Sequence, residues 1–257
     1  MEHYHGTPMG GKLEERARWM RNRDVLIPFR RPEDLPIACD VSRSFILDNS
    51  AYSCWREGEP MGDWGAYYKW VRSVCRHPGF RFCLIPDVIG GDEKENDALI
   101  ADWERRAVFS FTSGGIKTKR YPEAAPVWHL HESLERLQRL CARWRTVALG
   151  SSGQWATPGT QSWWQRISDA MDAICDDDGR PPCRLHGLRM LNPAVFSGLP
   201  LASADSTNVA RHSGSVTRAY IPPSRSQRMA TISDRIETHN SAGVWKRRDK
   251  QLVLMEV

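Results

Sequence analysis

Short apolar runs alternate along this chain with longer stretches whose apolar residues recur three or four positions apart. The short runs read as strands and the periodic stretches as helices. Eight strands are expected, at Glu2–Gly6, Asp24–Phe29, Ser44–Asp48, Phe80–Asp87, Ala125–His131, Thr146–Gly150, Arg184–Met190 and Leu199–Asp205. Helical patterns intervene at Lys12–Arg21, Gly62–Arg76, Glu93–Ala107, Leu134–Arg143 and Thr160–Asp176. Leu134, Leu137, Leu140 and Cys141 fall at i, i+3, i+6 and i+7, the stripe of one helix face. Connections after the second and seventh strands look short or irregular. The alternation predicts an α/β protein, and eight strands with outer helices predict a (β/α)8 TIM-like barrel.

Beyond Asp205 the pattern changes. Ser, Arg, Thr and Asn dominate through Ser226, around Pro222-Pro223, which reads as a long loop over the body. A short helix is expected at Arg228–His239, and the apolar end Gln251–Val257 is expected to dock. The organisation is thus a barrel over 1–210 and a basic loop and C-terminal segment over 211–257, a single domain with a basic extension. A length of 257 residues suits one such unit.

The net charge of +5 is a mild lean toward anionic partners, concentrated in Arg16–Arg31 and Arg211–Lys250. Eleven tryptophans offer surfaces for packing or for stacking on bases. Seven cysteines lack Cys-x-x-Cys pairing and zinc-ligand spacing, so buried free thiols in a reducing compartment are expected. No secretory signal pattern opens the chain, and no apolar stretch approaches a membrane span. A soluble, cytoplasmic protein with no membrane contact is the expectation.

Three expected strands end in aspartate: Asp48, Asp87 and Asp205. A carboxylate at the C-terminal end of a buried strand is poorly explained by packing, and in a parallel barrel that edge carries active sites. Capping of the following helix is the competing explanation for each one alone. Carboxylates sharing a pocket divide nucleophilic and acid/base work. Asp205 leads into Ser206, Thr207 and Asn208, with Arg211 nearby, and a carboxylate there can attack a sugar C1′. Asp48 is followed by Asn49 and Ser50, which leave room for a ligand, and suits proton transfer. Asp87 precedes Gly90-Gly91 and is a good acceptor for paired N–H donors on a purine edge. Gly150 and Ser151 end another strand in a small-residue loop able to present backbone N–H groups. His129 and His131, two apart, face one side of a strand; substrate contact by one is favoured over a metal pair, which lacks a third ligand. His186 and Arg189 end a further strand.

In this order the strand ends resemble the guanine transglycosylase superfamily. The motifs are Ile-Leu-Asp-Asn-Ser-Ala-Tyr, Ile-Pro-Asp, Val-Trp-His-Leu-His, Ala-Leu-Gly-Ser-Ser-Gly, His-Gly-Leu-Arg and Ala-Asp-Ser-Thr-Asn-Val-Ala-Arg, spread over residues 44–211. Those enzymes are zinc-bearing barrels that exchange guanine in tRNA for a 7-deazaguanine. The resemblance implies that Asp205 is the nucleophile and Asp48 an acid/base group. It implies that Asp87 reads the purine and that Gly150 and Ser151 supply backbone contacts. The family's purine-contacting glutamine has no counterpart, and His129 stands at the similar strand end.

The departures bear on the substrate. The tRNA enzymes carry a Cys-x-Cys-x-x-Cys plus His zinc site, which this chain lacks. In that respect it looks like the compact DNA-guanine transglycosylases of phages and bacterial DNA-modification clusters. The expectation is a glycosyltransferase that replaces guanine in DNA by a 7-deazaguanine through a covalent Asp-glycosyl intermediate. Its partners would be DNA and the free 7-deazaguanine base, with no cofactor and no metal. Arg211, Arg218, Arg225 and Arg228, with the arginine-rich N-terminal region, would hold phosphates. The alternatives are a tRNA-acting relative, a barrel hydrolase of nucleosides or glycosides, and a non-enzymatic DNA-binding protein on a dead barrel.

Overall fold

The computed structural model describes residues 1–8, 10–59, 64–113, 116–207, 209 and 225–247, without the side chains of 109–120. Its centre is a parallel, TIM-like barrel. The strands are β1 (Glu2–Gly6), β2 (Asp24–Pro28), β3 (Ser44–Asp48), β4 (Phe80–Leu84), β7 (Ala124–Ala125), β8 (Val127–His129), β9 (Thr146–Gly150), β10 (Arg184–Gly187) and β11 (Ser203–Ser206). They hydrogen-bond in the order β7-β4-β3-β2-β1-β11-β10-β9-β8. The ends of this sheet, β7 and β8, are neighbours in sequence, separated only by Pro126. The Ala125 carbonyl accepts from Ile85 N at 2.9 Å on the β4 side, and the Pro126 carbonyl accepts from Ala148 N at 2.9 Å on the β9 side. One strand run therefore joins both ends, and the sheet curls into a nearly closed ring. All eight expected strands are present. The fifth is interrupted because Pro126 has no N–H to add to the ladder.

The outer layer follows from the helical stripes. It comprises α1 (Leu13–Met20), α2 (Leu35–Val41), α3 (Ala51–Glu57), α4 (Gly65–Val74), α5 (Glu93–Arg106), α6 (Leu134–Arg143), α7 (Gln161–Ile174), α8 (Pro193–Phe196) and α9 (Arg225–Glu237). Starts are marked by side-chain caps. Asp92 and Glu95 form a reciprocal capping box on α5, and Ser133 and Thr160 cap α6 and α7. The short helices α2, α3 and α8 escape a periodicity reading because none exceeds two turns. An antiparallel hairpin, β5 (Phe109–Ser113) with β6 (Ile116–Arg120), lies outside the barrel sheet. The sequence reading placed no strand there, although Gly114-Gly115 between two alternating runs is a hairpin signal.

Alternation along the strands separates two cores. Tyr4, Leu26, Ile46, Phe82, Leu84, Ala125, Val127 and Ala148 fill the barrel. A larger cluster, including Trp103, Trp128 and Trp163, lies between strands and helices. At the barrel floor Asp24 accepts from Ser44 Oγ at 2.7 Å and Arg43 Nε at 3.0 Å. Among the described residues no helix is long and apolar enough to cross a membrane.

Residues 225–247 pack on this body. Trp19 Nε1 on α1 donates to Ser233 Oγ on α9 at 3.1 Å, and Ala242 N donates to the Leu199 carbonyl at 3.0 Å. Trp245 N donates to the Gly179 carbonyl at 2.7 Å, and its indole N–H donates to Asp172 at 2.7 Å. The expected loop up to residue 224 lies mostly outside the described residues, as does the expected docking of Gln251–Val257. Several N-terminal arginines are committed within the fold. Arg16 pairs with Asp34 at 2.6 Å, and Arg23 pairs with Asp234 at 2.6 Å and Glu237 at 2.9 Å.

Glu237 ties α9 to β1 through His5 Nε2, 3.0 Å away. Burial opposes its charge, but hydrogen bonding to His5 and the Arg23 charge together outweigh it and hold its carboxyl at about 2. The native state therefore releases this proton more readily than the unfolded chain. Its contribution is complete above the ordinary glutamate range and is lost as pH falls toward 2. Glu237→Gln is expected to destabilise the fold by roughly 1–3 kcal/mol at neutral pH. The deficit should shrink below pH ~4, as read from urea midpoints across pH; a pH-independent deficit would show that the charge is not the cause.

Candidate active site

The C-terminal ends of the barrel strands open into a cleft of about 420 Å³. That is within the range of small-molecule and nucleotide pockets. Asp48, Asn49, Ser50, Asp87, His129, Gly150, Ser151 and Asp205 all line it. These eight positions, up to 157 residues apart, meet there because parallel strands all present the same end (205 − 48 = 157).

Each carboxylate is held differently. Asp205, on β11, is buried. Its Oδ1 accepts the Arg189 backbone N–H at 2.9 Å, and its Oδ2 lies 3.1 Å from His186 Nε2. His186 stands inside the barrel with its other nitrogen 2.8 Å from Ser203 Oγ, edge-on to Tyr4 and Phe82. With Ser203 donating to Nδ1, Nε2–H donates to Asp205. Arg189 has φ 59°, the left-handed region, which costs a non-glycine residue roughly 1–2 kcal/mol. That conformation aims its N–H at Asp205. Its guanidinium donates to the Ser151 carbonyl at 2.5 Å and lies 4.0 Å above the Tyr52 ring. The strand expected to run to Met190 ends at Gly187, because the chain turns here to make these contacts.

Asp87 is also buried, beyond the end of β4. Its Oδ1 accepts from Asn49 Nδ2 at 2.9 Å, and its Oδ2 lies 2.9 Å from His129 Nε2. Asn49 also donates to the Ile85 carbonyl at 2.8 Å and accepts from Ala51 N at 2.7 Å. It therefore orients Asp87 and starts α3, with its amide fully engaged. Ser50, at φ 66°, accepts the Arg30 N–H at 3.2 Å and turns the chain into α3. Ser151 Oγ accepts from Trp163 Nε1 at 2.9 Å.

Asp48 is the electrostatic outlier. Burial, then the nearby Asp205 charge, push its carboxyl up to about 7; Asp87 adds to this, and hydrogen bonding from Ser50 opposes it. A carboxyl that exchanges its proton near neutrality, next to two others, is suited to general acid/base work.

His129 and His131 stack with centroids 5.6 Å apart. They do different things. His129 faces the cleft, while His131 bridges Ser152 Oγ (2.7 Å) and the Gly91 carbonyl (2.9 Å) outside it. Among the described residues no three His, Cys, Asp or Glu side chains come together to hold an ion. Arg225 and Arg228 lie on α9 rather than in the cleft, and Arg211 and Arg218 fall outside the described residues.

The supports of this site carry no local sequence signal. Buried Glu132 accepts from His129 N (2.9 Å), Asn96 Nδ2 (2.9 Å) and Arg136 Nη1 (2.5 Å). Asn96 in turn accepts from Val88 N at 2.8 Å, fixing the chain just after Asp87. Glu132 and Arg136 are spaced i, i+4, but that spacing reads equally as a surface pair. At the cleft mouth stand Arg30 and Arg31, from the arginine-rich region expected to hold phosphates, Tyr52 from the Asp48 motif, and Arg56, which no sequence pattern singled out.

Comparison with protein-family models, curated proteins and solved structures finds no match for this chain.

Two outcomes follow from the geometry. Between the ordinary aspartate range and about pH 7, native Asp48 keeps a proton that the unfolded chain has lost, so stability falls as pH rises through that window. Asp48→Asn should match wild type near pH 4 and exceed it at pH 8 by up to about 4 kcal/mol, measured by denaturant unfolding. Equal stability at both pH values would contradict the shift. At Gly150 a Cβ would stand 2.8 Å from His129 Nδ1 and 3.1 Å from Val127 Cγ1. Gly150→Ala should therefore displace His129 from Asp87, seen as a changed His129 ring resonance, with a stability cost of roughly 1–3 kcal/mol.

Proposed function

We propose that this barrel exchanges guanine in DNA for a 7-deazaguanine base through a covalent glycosyl ester on Asp205. The observation that carries the reading is the meeting of Asp48, Asp87 and Asp205 in one cleft, with Asp48 titrating near neutrality beside Asp205. The order of strand-end motifs supports the same assignment.

In this reading the target nucleotide leaves the stack and enters the cleft. An Asp205 oxygen, oriented by Arg189 N–H and His186, attacks C1′ as the C1′–N9 bond breaks. The electron pair passes to guanine N9, and protonated Asp48 supplies the proton that leaves with the base. Asp87, held by Asn49 and His129, keeps lone pairs for the N–H donors of the purine edge. The incoming 7-deazaguanine gives its N9 proton to Asp48, its N9 attacks C1′, and the ester to Asp205 breaks. Atoms and charge balance, and both partners regain their starting forms. Arg30, Arg31 and Arg56 around the mouth supply charge for a polyanion. The setting would be the cytoplasm of a bacterium, or of a phage-infected host.

Labelled guanine offered with DNA, tRNA or free deoxyguanosine tests this reading. Label should enter DNA, and Asp205→Ala should abolish it together with a DNA adduct visible on denaturing gels. Asp48→Asn should lower the rate about 10²–10⁴-fold. Preferential labelling of tRNA would move the chain to the tRNA-acting branch. Release of base without exchange would favour a hydrolase, and full activity in Asp205→Ala would overturn the nucleophile.

A further inference from the structure

We infer that the outer face of α3 is a platform for the nucleotide flanking the target, with Trp55 stacking on its base and Arg56 meeting its phosphate. This rests on the proposed base exchange and adds a strand-binding site beside the cleft.

The chain has eleven tryptophans. Ten are buried or half-buried, whereas Trp55 is 55 % exposed. Exposing an indole costs burial energy that the other ten recover by packing. Its position is specific. Trp55 lies on α3, which starts directly after Asp48, Asn49 and Ser50. Its ring sits 5.8 Å from that of Tyr52, tilted by 36°, and Tyr52 lines the cleft under the Arg189 guanidinium. A line of rings thus runs from inside the cleft to its outer lip.

Charge accompanies the rings. Arg56 lines the cleft with its side chain 49 % exposed and pairs with Glu57 at 3.1 Å. Arg30 pairs with Glu57 and, at 2.9 Å, with Glu59. Among the described residues of this lip, Arg30, Arg31 and Arg56 stand against Glu57 and Glu59 (3 − 2 = +1). The ion pairs are exposed and weak, so a phosphate can replace a glutamate as the partner. An aromatic ring next to cations at the mouth of a nucleotide-sized cleft matches the chemistry of a single strand: a π face for a base and a cation for its phosphate. An apolar peptide would gain nothing from the arginines. A free nucleoside would not reach Trp55 from the cleft.

The test compares binding of a single-stranded nonamer, one guanine among thymines, with binding of deoxyguanosine monophosphate. Wild-type, Trp55→Ala, Trp55→Phe and Arg56→Gln proteins are measured by fluorescence anisotropy and competition, with labelled-guanine exchange run on wild type. Trp55→Ala should weaken nonamer binding roughly 5- to 150-fold and shrink its advantage over the monophosphate by the same factor. Trp55→Phe should recover most of the loss. Arg56→Gln should flatten the salt dependence by ~0.7 on the log–log slope, the value of one single-strand phosphate. If wild type exchanges guanine but Trp55→Ala binds the nonamer as tightly as wild type, the platform is wrong and base exchange stands. If Trp55→Ala and Trp55→Phe lose binding equally, stacking is wrong. If wild type neither binds the nonamer nor incorporates guanine, both readings fall.

Discussion

Ring closure through Pro126 is the constraint on which the rest of this structure depends. An open parallel sheet would fan its strand ends apart with the usual twist. Here Ala125 and Pro126 send consecutive carbonyls to opposite neighbours, which brings β4 and β9 onto either side of one strand. Asp87, just past β4, and His129, at the end of β8, can then touch. Asp48 and Asp205 face the same cleft from across β1 and β2. Proline is suited to the seam because it fixes φ, although it leaves one ladder position without a donor.

Gathering three carboxylates under one roof works against stability, and the fold offsets that locally. Asp87 and Asp205 each receive two hydrogen-bonding partners, one a histidine in both cases. Asp48, with burial and like charge both against it, keeps its proton instead. Two non-glycine residues adopt left-handed backbone conformations at the cleft, Ser50 and Arg189, and each makes a contact to another cleft-lining residue, Arg30 and Asp205 respectively. Behind His129 the buried Glu132–Arg136 pair uses both Glu132 oxygens. Such a pair contributes little net stability, but its geometry fixes the strand end it grips.

Much of the barrel could be read from the chain because each strand is a short apolar run between turn residues. The β1, β3 and β9 bounds matched residue for residue. The strand-end aspartates stood out for the same reason, a charge where packing expects none. What escaped the reading lacks a local signature. A two-turn helix such as α3 shows too few repeats for a period to emerge, and the rim residue Arg56 went with it. The engagement of Asn49 with Asp87 depends on a neighbour 38 positions away, which no local pattern reports. His131 sits two residues from His129 and stacks on its ring, yet the strand stops at His129, and the turn that follows commits the His131 nitrogens to Ser152 and Gly91 rather than to the cleft.

The nearly closed ring also decides how this molecule can meet another backbone. Among the described residues, seven of the nine barrel strands have a hydrogen-bonded neighbour on both sides, and the two end strands, β7 and β8, are only two and three residues long, so the main sheet presents little unpaired backbone to a passing strand. Among the described residues, the longest unpaired sheet edges belong to the β5–β6 hairpin, whose two five-residue strands have only each other. Among the described residues, templated association by strand addition, orderly or pathological, therefore finds its longest open backbone in the β5–β6 ribbon, outside the barrel sheet.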